Sequence, residues 1–237
     1  MKSALLRLRN LICAALGGLG LMTTGCAKRN YSWSTEAEYY KLPIWKQHVK
    51  TYKKLKFEPN TATIFIGDSM TEGFDLNRHL KADNLVNMGI SGDFTRGVID
   101  RLEYATRLQP KKVFVMIGIN DILKAVPQDR IKSQYAIIIE TLVRDCPNSA
   151  IYIQSNLPTT LMGGSESSNS AYLEKINDLN AFLKDACQKH QITFIDMRSR
   201  FVTPEGTLMS ELTYDGLHLS DDGYKVWTEF VLPLIVR

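Results

Sequence analysis

Two short stretches of this chain carry residue types that could do chemistry together. The first is Gly67-Asp68-Ser69, which ends the β-branched and aromatic run TATIFI at 61–66. A serine hydroxyl is a weak nucleophile by itself. It needs a base and a site for the oxyanion that its attack creates. The second stretch is Asp215-Gly216-Leu217-His218. An aspartate three residues before a histidine, in a turn containing glycine, brings carboxylate and imidazole within hydrogen-bond reach. The pairing orients the ring and supports its cationic form. Of the four histidines only His218 has such a partner; His48, His79 and His190 read as surface or capping residues of helices.

Two more polar turns follow apolar runs. Gly89-Ile90-Ser91-Gly92-Asp93 follows 85–88, and Gly118-Ile119-Asn120-Asp121 follows 112–117. Glycine lets backbone approach a substrate oxygen closely. An asparagine amide is a neutral donor that steadies negative charge without competing as an acid. Taken singly, Asn120 and Asp121 read as turn chemistry after a strand.

The elements that must position these turns follow from periodicity. Short apolar runs at 61–66, 85–88, 112–117, 150–154 and 192–196 predict five strands. Helical spacing predicts helices over 42–52, from 71 to 80, and over 95–108, 128–145 and 171–189. A last helix is capped by Ser220, with Asp221 and Asp222 in its first turn. Lys46, Lys50 and Lys53 read as the solvated face of the first helix. Residues 156–170 form one long loop rich in glycine and serine, and 198–219 are irregular. Strands alternate with helices and no hairpin signal occurs, which predicts an α/β fold whose parallel sheet is covered on both faces. Such a sheet lines up its carboxyl ends along one edge, where the three polar turns that end the first three strands can converge.

The blocks GDSMTEG, NMGISGD, GIND and DGLH occur in that order within residues 60–235. Together they resemble the blocks of the SGNH hydrolase superfamily, the GDSL esterases and lipases. The resemblance implies a three-layer, flavodoxin-like α/β fold with a five-stranded parallel sheet and a Ser-Asp-His hydrolase. It implies Ser69 as nucleophile, His218 as general base and then acid, and Asp215 as the group that holds the imidazole. It implies an oxyanion hole made by the backbone N–H groups of Ser69 and Gly92 and the side-chain amide of Asn120. Met70 stands where the family name has leucine, and Leu219 follows the histidine where proline is common. Neither position supplies a catalytic group. The nucleophile is not in a G-x-S-x-G elbow.

The expected function is ester hydrolysis through an acyl-enzyme, with no cofactor and no metal. The 156–170 loop lacks the bulky apolar series that a long acyl chain would bury. Short acyl groups are therefore expected, O-acetyl groups on carbohydrate first, with a lysophospholipase, thioesterase or lipase activity as the alternative. A rival of another class is a catalytically silent, carbohydrate-binding surface lipoprotein on the same fold; four intact blocks argue against it.

At 237 residues, one domain with a sizeable core is expected. The net charge is +4, but Lys2, Arg7 and Arg9 crowd the N-terminus and the rest of the chain is nearly neutral. Nothing there suggests nucleic acid. Residues 11–22 are apolar or small and close on Thr23-Thr24-Gly25-Cys26. This resembles a bacterial lipoprotein signal, with an ordinary secretory leader as the alternative. The expected organisation is a signal peptide over 1–26, a tether or surface-packed arm over 27–41 and a hydrolase domain over 42–237. The protein is then an exported monomer, periplasmic or at the cell surface, held to a bacterial membrane by lipid on Cys26. Its expected partner is a small-molecule or glycan ester. Cys146 and Cys187 read as buried apolar residues, although an oxidising compartment permits a disulfide. No cysteine–histidine cluster suggests zinc.

Overall fold

Each of the five apolar runs forms a strand in the computed structural model, which describes residues 38–160 and 166–236. The strands are β1 (Thr63–Gly67), β2 (Leu85–Gly89), β3 (Lys112–Met116), β4 (Ala150–Gln154) and β5 (Thr193–Ile195). They lie in the order β2-β1-β3-β4-β5, every neighbouring pair parallel. The chain steps outward from β1 to β2, then crosses back to β3 and continues the other way. That reversal makes a topological switch point between the carboxyl ends of β1 and β3, the kind of place where open α/β sheets bind ligands. β1 and β3 are buried along their whole length, as strands covered on both faces must be.

The helices are α1 (Pro43–Tyr52), α2 (Ser69–Glu72), α3 (Leu76–Leu80), α4 (Thr95–Arg101), α5 (Glu103–Thr106), α6 (Ile119–Leu123), α7 (Gln128–Asp145), α8 (Glu166–His190) and α9 (Asp221–Ile235). α4 and α8 pack against α7 on one side, and α3 packs against α9. The three-layer α/β architecture expected from the sequence is therefore the one adopted.

An aromatic ladder fixes the sheet's centre. Phe65, Phe114 and Tyr152 are register partners on β1, β3 and β4. Their rings stack at 4.6 and 4.5 Å, the cross-strand pairing that stabilises sheets. Phe74 meets Phe65 edge-on and stacks on Trp227 of α9 at 4.9 Å. Trp227 is fully buried and donates its indole N–H to Gln154 at 2.6 Å. This anchor fixes α9, and so the turn just before it.

Three local readings differ from the structure. The helix expected from 71 to 80 is two helices, α2 and α3; Asp75 caps the second, accepting the Arg78 N–H. The helix expected over 95–108 breaks at Leu102 into α4 and α5. The 156–170 segment is not a loop throughout, because α8 already begins at Glu166. Serine and asparagine signal turns only weakly and are tolerated within helices. Tyr39, in the stretch read as a tether or surface-packed arm, is 2% exposed and packs on Trp45 and Phe94. The signal segment with Cys26 lies outside the described residues. Among the described residues, no helix is long and apolar enough to cross a membrane, and no cluster of His, Cys, Asp and Glu could hold a metal ion. Cys146 and Cys187 are both buried free thiols, and burial pushes them up to about 11 and about 12.

Candidate active site

β1 ends at Gly67 because the chain turns where a side chain has no room. A Cβ there would sit 2.1 Å from Thr71 Oγ1 and 2.3 Å from the Met116 carbonyl. Asp68 then caps α2, its Oδ1 accepting the Met70 N–H at 3.0 Å. Ser69 is the first residue of that helix. Its Oγ lies 2.9 Å from His218 Nε2, which the chain supplies 149 residues later.

His218 Nδ1 is 2.7 Å from Asp215 Oδ2. The other carboxylate oxygen, Oδ1, accepts the backbone N–H groups of Leu217 at 3.0 Å and His218 at 2.8 Å. One oxygen shapes the turn and the other aims the ring. Burial raises the Asp215 carboxyl, but the hydrogen bonds from the His218 ring and from the His218 and Leu217 amides outweigh it. The net result holds Asp215 below the ordinary aspartate range. An ionised Asp215 keeps the proton on Nδ1 and leaves Nε2 to accept from Ser69. Tyr214 stacks over His218 at 5.7 Å and is 67% exposed, forming the outer wall of the site.

The donor side is built by register. Gly67 pairs with Gly89 of β2 and with Met116 of β3, so the three turns lie side by side. Ile90 N–H donates to the Gly67 carbonyl at 3.0 Å, tying the second turn to the first. Gly92 has φ +75°, a conformation that favours glycine, and nothing lies within 4 Å of where its Cβ would be. Asn120 is 1% exposed, and its Nδ2 donates to the Asp93 carbonyl at 2.9 Å. Among the described residues that is the one acceptor its amide is given. Asp121 is wholly buried; its Oδ1 accepts the Thr95 hydroxyl at 2.6 Å, locking the third turn to α4.

Sequence reasoning missed the pair Asp93 and Arg101. Both side chains are buried, with Arg101 Nε 2.8 Å from Asp93 Oδ2. The remaining guanidinium nitrogens donate to the Met88 carbonyl at 2.7 Å and the Gly67 carbonyl at 3.0 Å. Arg101 thus clamps the ends of β1 and β2 to the second turn. The available signal was spacing: Arg101 falls on the same helical face as Val98 and Ala105. Asp68 was also passed over as a titrating group. Burial, opposed by the Met70 N–H and by His218, pushes its carboxyl up to about 7.

The other histidines take no part in this cluster. His79 is not a surface residue: its side chain is 8% exposed and sits between Phe74 and Tyr224. His48 reaches Glu72 at 2.8 Å. Beside the His218 turn, Thr159 Oγ1 and Thr160 N–H both donate to the Gly216 carbonyl, at 2.7 and 2.8 Å. A cavity of about 330 Å³ opens there, lined in part by Pro158, Thr160, Leu173 and Ile176. Leu173 and Ile176 come from α8, so the cavity has an apolar wall that the loop's own composition hid.

Residues 65–226 match the model of the GDSL-like Lipase/Acylhydrolase family. The chain is 28% identical over 171 residues to the N-acylneuraminate cytidylyltransferase of Streptococcus agalactiae, covering 72% of this chain and 38% of that protein. It therefore spans little more than a third of the length of those relatives. It is 27% identical over 181 residues to the platelet-activating factor acetylhydrolase IB subunit alpha1 of Homo sapiens, covering 73% and 75%. A solved structure described as a platelet activating factor from Streptococcus pneumonia superposes with TM-score 0.68 at 28% identity, covering 81% and 91%. The matched stretch holds Ser69, Gly92, Asn120, Asp215 and His218, and by this match the chain belongs to the GDSL-like lipase/acylhydrolase family.

Proposed function

We propose that this protein is a serine ester hydrolase that removes short acyl groups, O-acetyl groups on carbohydrate foremost. The observation that carries the proposal is the hydrogen-bonded line from Ser69 through His218 to Asp215. Ser69 Oγ attacks the ester carbonyl while its proton passes to His218 Nε2. The oxyanion is met by the N–H groups of Ser69 and Gly92 and the Asn120 amide. Collapse breaks the ester bond, and His218 returns the proton to the departing alcohol. Water, deprotonated by His218, then releases the acid from Ser69. The family match supports acyl hydrolysis. One relative bears on the acyl group by its name, which is that of an acetylhydrolase.

A second reading, hydrolysis of a longer acyl or lysophospholipid ester, draws on the apolar wall that Leu173 and Ile176 give the cavity, although that cavity is lined by none of Ser69, Gly92, Asn120, Asp215 and His218. A panel of aryl esters from acetate to palmitate, with acetylated glycans and lysophospholipid, separates the two. On the first reading kcat/KM falls beyond a few carbons. On the second each CH₂ that reaches apolar wall adds about 0.8 kcal/mol of binding, and kcat/KM climbs with length. Labelling by a fluorophosphonate in the wild type and its loss in Ser69→Ala tests the nucleophile. An unlabelled, inactive wild type would leave the silent carbohydrate-binding lipoprotein as the better account. The proposal extends to placement: a lipid on Cys26 holds the exported monomer at a membrane.

A further inference from the structure

α1 precedes the family-matched stretch 65–226, yet it reaches the second polar turn by two routes. Tyr52 Oη donates to the Gly89 carbonyl at 3.0 Å, where that turn begins. His48 Nε2 lies 2.8 Å from Glu72 Oε1, and His48 Nδ1 lies 3.2 Å from Tyr52 Oη. Glu72 in turn spends its other oxygen on the turn itself. Oε2 accepts the Ser91 N–H at 2.8 Å and also the Ser91 hydroxyl.

The residue after Ser91 is Gly92. The direction of the Gly92 N–H is set by the Ser91–Gly92 peptide, and so by how Ser91 is held. Gly92 has no side chain to pack. The residues around Ser91 have their own anchors: Ile90 N–H on the Gly67 carbonyl, and Asp93 on Arg101. Among the described residues, both donors of Ser91 go to Glu72. Two bonds from one residue to one oxygen fix an orientation that a single bond would leave free to rotate. The Glu72 side chain is 26% exposed and that of His48 29%. This carboxylate is therefore half-withdrawn from water, where a hydrogen bond holds geometry better than on an open surface. Burial raises the Glu72 carboxyl, but the bonds from His48 and Ser91 outweigh it and keep it below the ordinary range.

We propose that Glu72, braced by His48 of α1, is a positioning residue for the oxyanion hole: it holds Ser91 so that the Gly92 N–H faces the carbonyl oxygen attacked by Ser69. This rests on the assignment of Ser69 and Gly92 made above. Glu72 touches no substrate and acts only through Ser91. The helix that carries the brace lies outside the family core, so the chain N-terminal to that core contributes to the geometry of the site.

The test compares Glu72→Ala, Glu72→Gln and Ser91→Ala with wild type and Ser69→Ala on aryl acetate, with phenylboronic acid as a mimic of the tetrahedral oxyanion. Losing one oxyanion donor outright costs about 10²–10³ in kcat, so misaiming one should cost less. Glu72→Ala is expected to lower kcat by about 10- to 100-fold with KM within about threefold, and to raise Ki for the boronate by a similar factor. Glu72→Gln keeps an amide oxygen for Ser91 and should return kcat to within about fivefold of wild type. A purely structural role would lower the melting temperature and leave both kcat and boronate Ki of the folded enzyme near their wild-type values. Glu72→Ala with kcat within about threefold of wild type, or with KM raised and boronate Ki unchanged, overturns the proposal. If Glu72→Ala does not fold, Ser91→Ala decides. It keeps the N–H but loses the hydroxyl bond, so kcat should fall by about 3- to 10-fold; wild-type kcat overturns the idea. Activity surviving in Ser69→Ala would sink the underlying assignment instead, whatever Glu72 does.

Discussion

Replacing Asp215 by asparagine tests the proposed triad through one atom. The turn leaves the new amide little freedom. Oδ1 of Asp215 accepts two backbone N–H groups, from Leu217 and His218, while Oδ2 faces His218 Nδ1. If the asparagine oxygen keeps the two backbone bonds, its NH₂ faces Nδ1. That nitrogen must then accept, the ring proton moves to Nε2, and Nε2 can no longer take the proton of Ser69. If the amide flips to keep the ring tautomer, its NH₂ confronts two N–H donors. Two unmade hydrogen bonds at about 1–2 kcal/mol each come to roughly 2–4 kcal/mol, or a 30- to 1000-fold loss. The unflipped form is the cheaper structure and the worse catalyst, and wrong-tautomer triads lose about 10⁴ in kcat. Asp215→Asn should therefore lower kcat by about 10²–10⁴ with KM within a few-fold, because no substrate contact changes. The assay is steady-state hydrolysis of aryl acetate beside a thermal melt. A variant that melts like wild type and retains more than about a tenth of kcat would refute the claim that Asp215 sets the His218 tautomer.

Asn120→Ala should cost about 10²–10³ in kcat and leave KM nearly unchanged, as loss of one oxyanion donor does; an effect confined to KM would count against the role. Asp68 ties stability to pH. Its carboxyl stands at about 7 in the folded protein against an ordinary 3.8, so the folded state binds the extra proton between those values. The stability this confers is full below pH 3.8 and is lost as pH rises through 7, on the order of 4 kcal/mol from roughly three pH units. Asp68→Asn keeps the cap on the Met70 N–H and should flatten that slope in chemical denaturation at pH 5 and pH 8; parallel slopes would show that another group titrates. Mass spectrometry of the mature protein should find lipid on Cys26, and a mature N-terminus at some other residue would end that proposal.

Local rules made much of this protein legible. The strands are short β-branched and aromatic runs, and α7 and β4 begin and end where their periodicity and flanking turns place them. Asp215 and His218 are three residues apart, so their pairing is a property of the turn and was readable before any fold was known. The order of four blocks pointed to Ser69, Gly92 and Asn120. What distance along the chain hides, only the tertiary structure decided. Nothing near Ser69 says that His218 will lie 2.9 Å away; the sheet order and the burial of Trp227 bring α9 and its preceding turn to that spot. Arg101 shares a helical face with Val98 and Ala105, but only the tertiary structure shows what a buried arginine there binds: Asp93 and two strand-end carbonyls. Leu173 and Ile176 read as an ordinary core stripe, and one side of that stripe lines the cavity beside Gly216. His48 and Glu72 sit on separate elements with no pattern joining them. The contact of Glu72 with Ser91 exists because β1 and β2 are neighbours, and that adjacency is a fact of topology that no local pattern encodes.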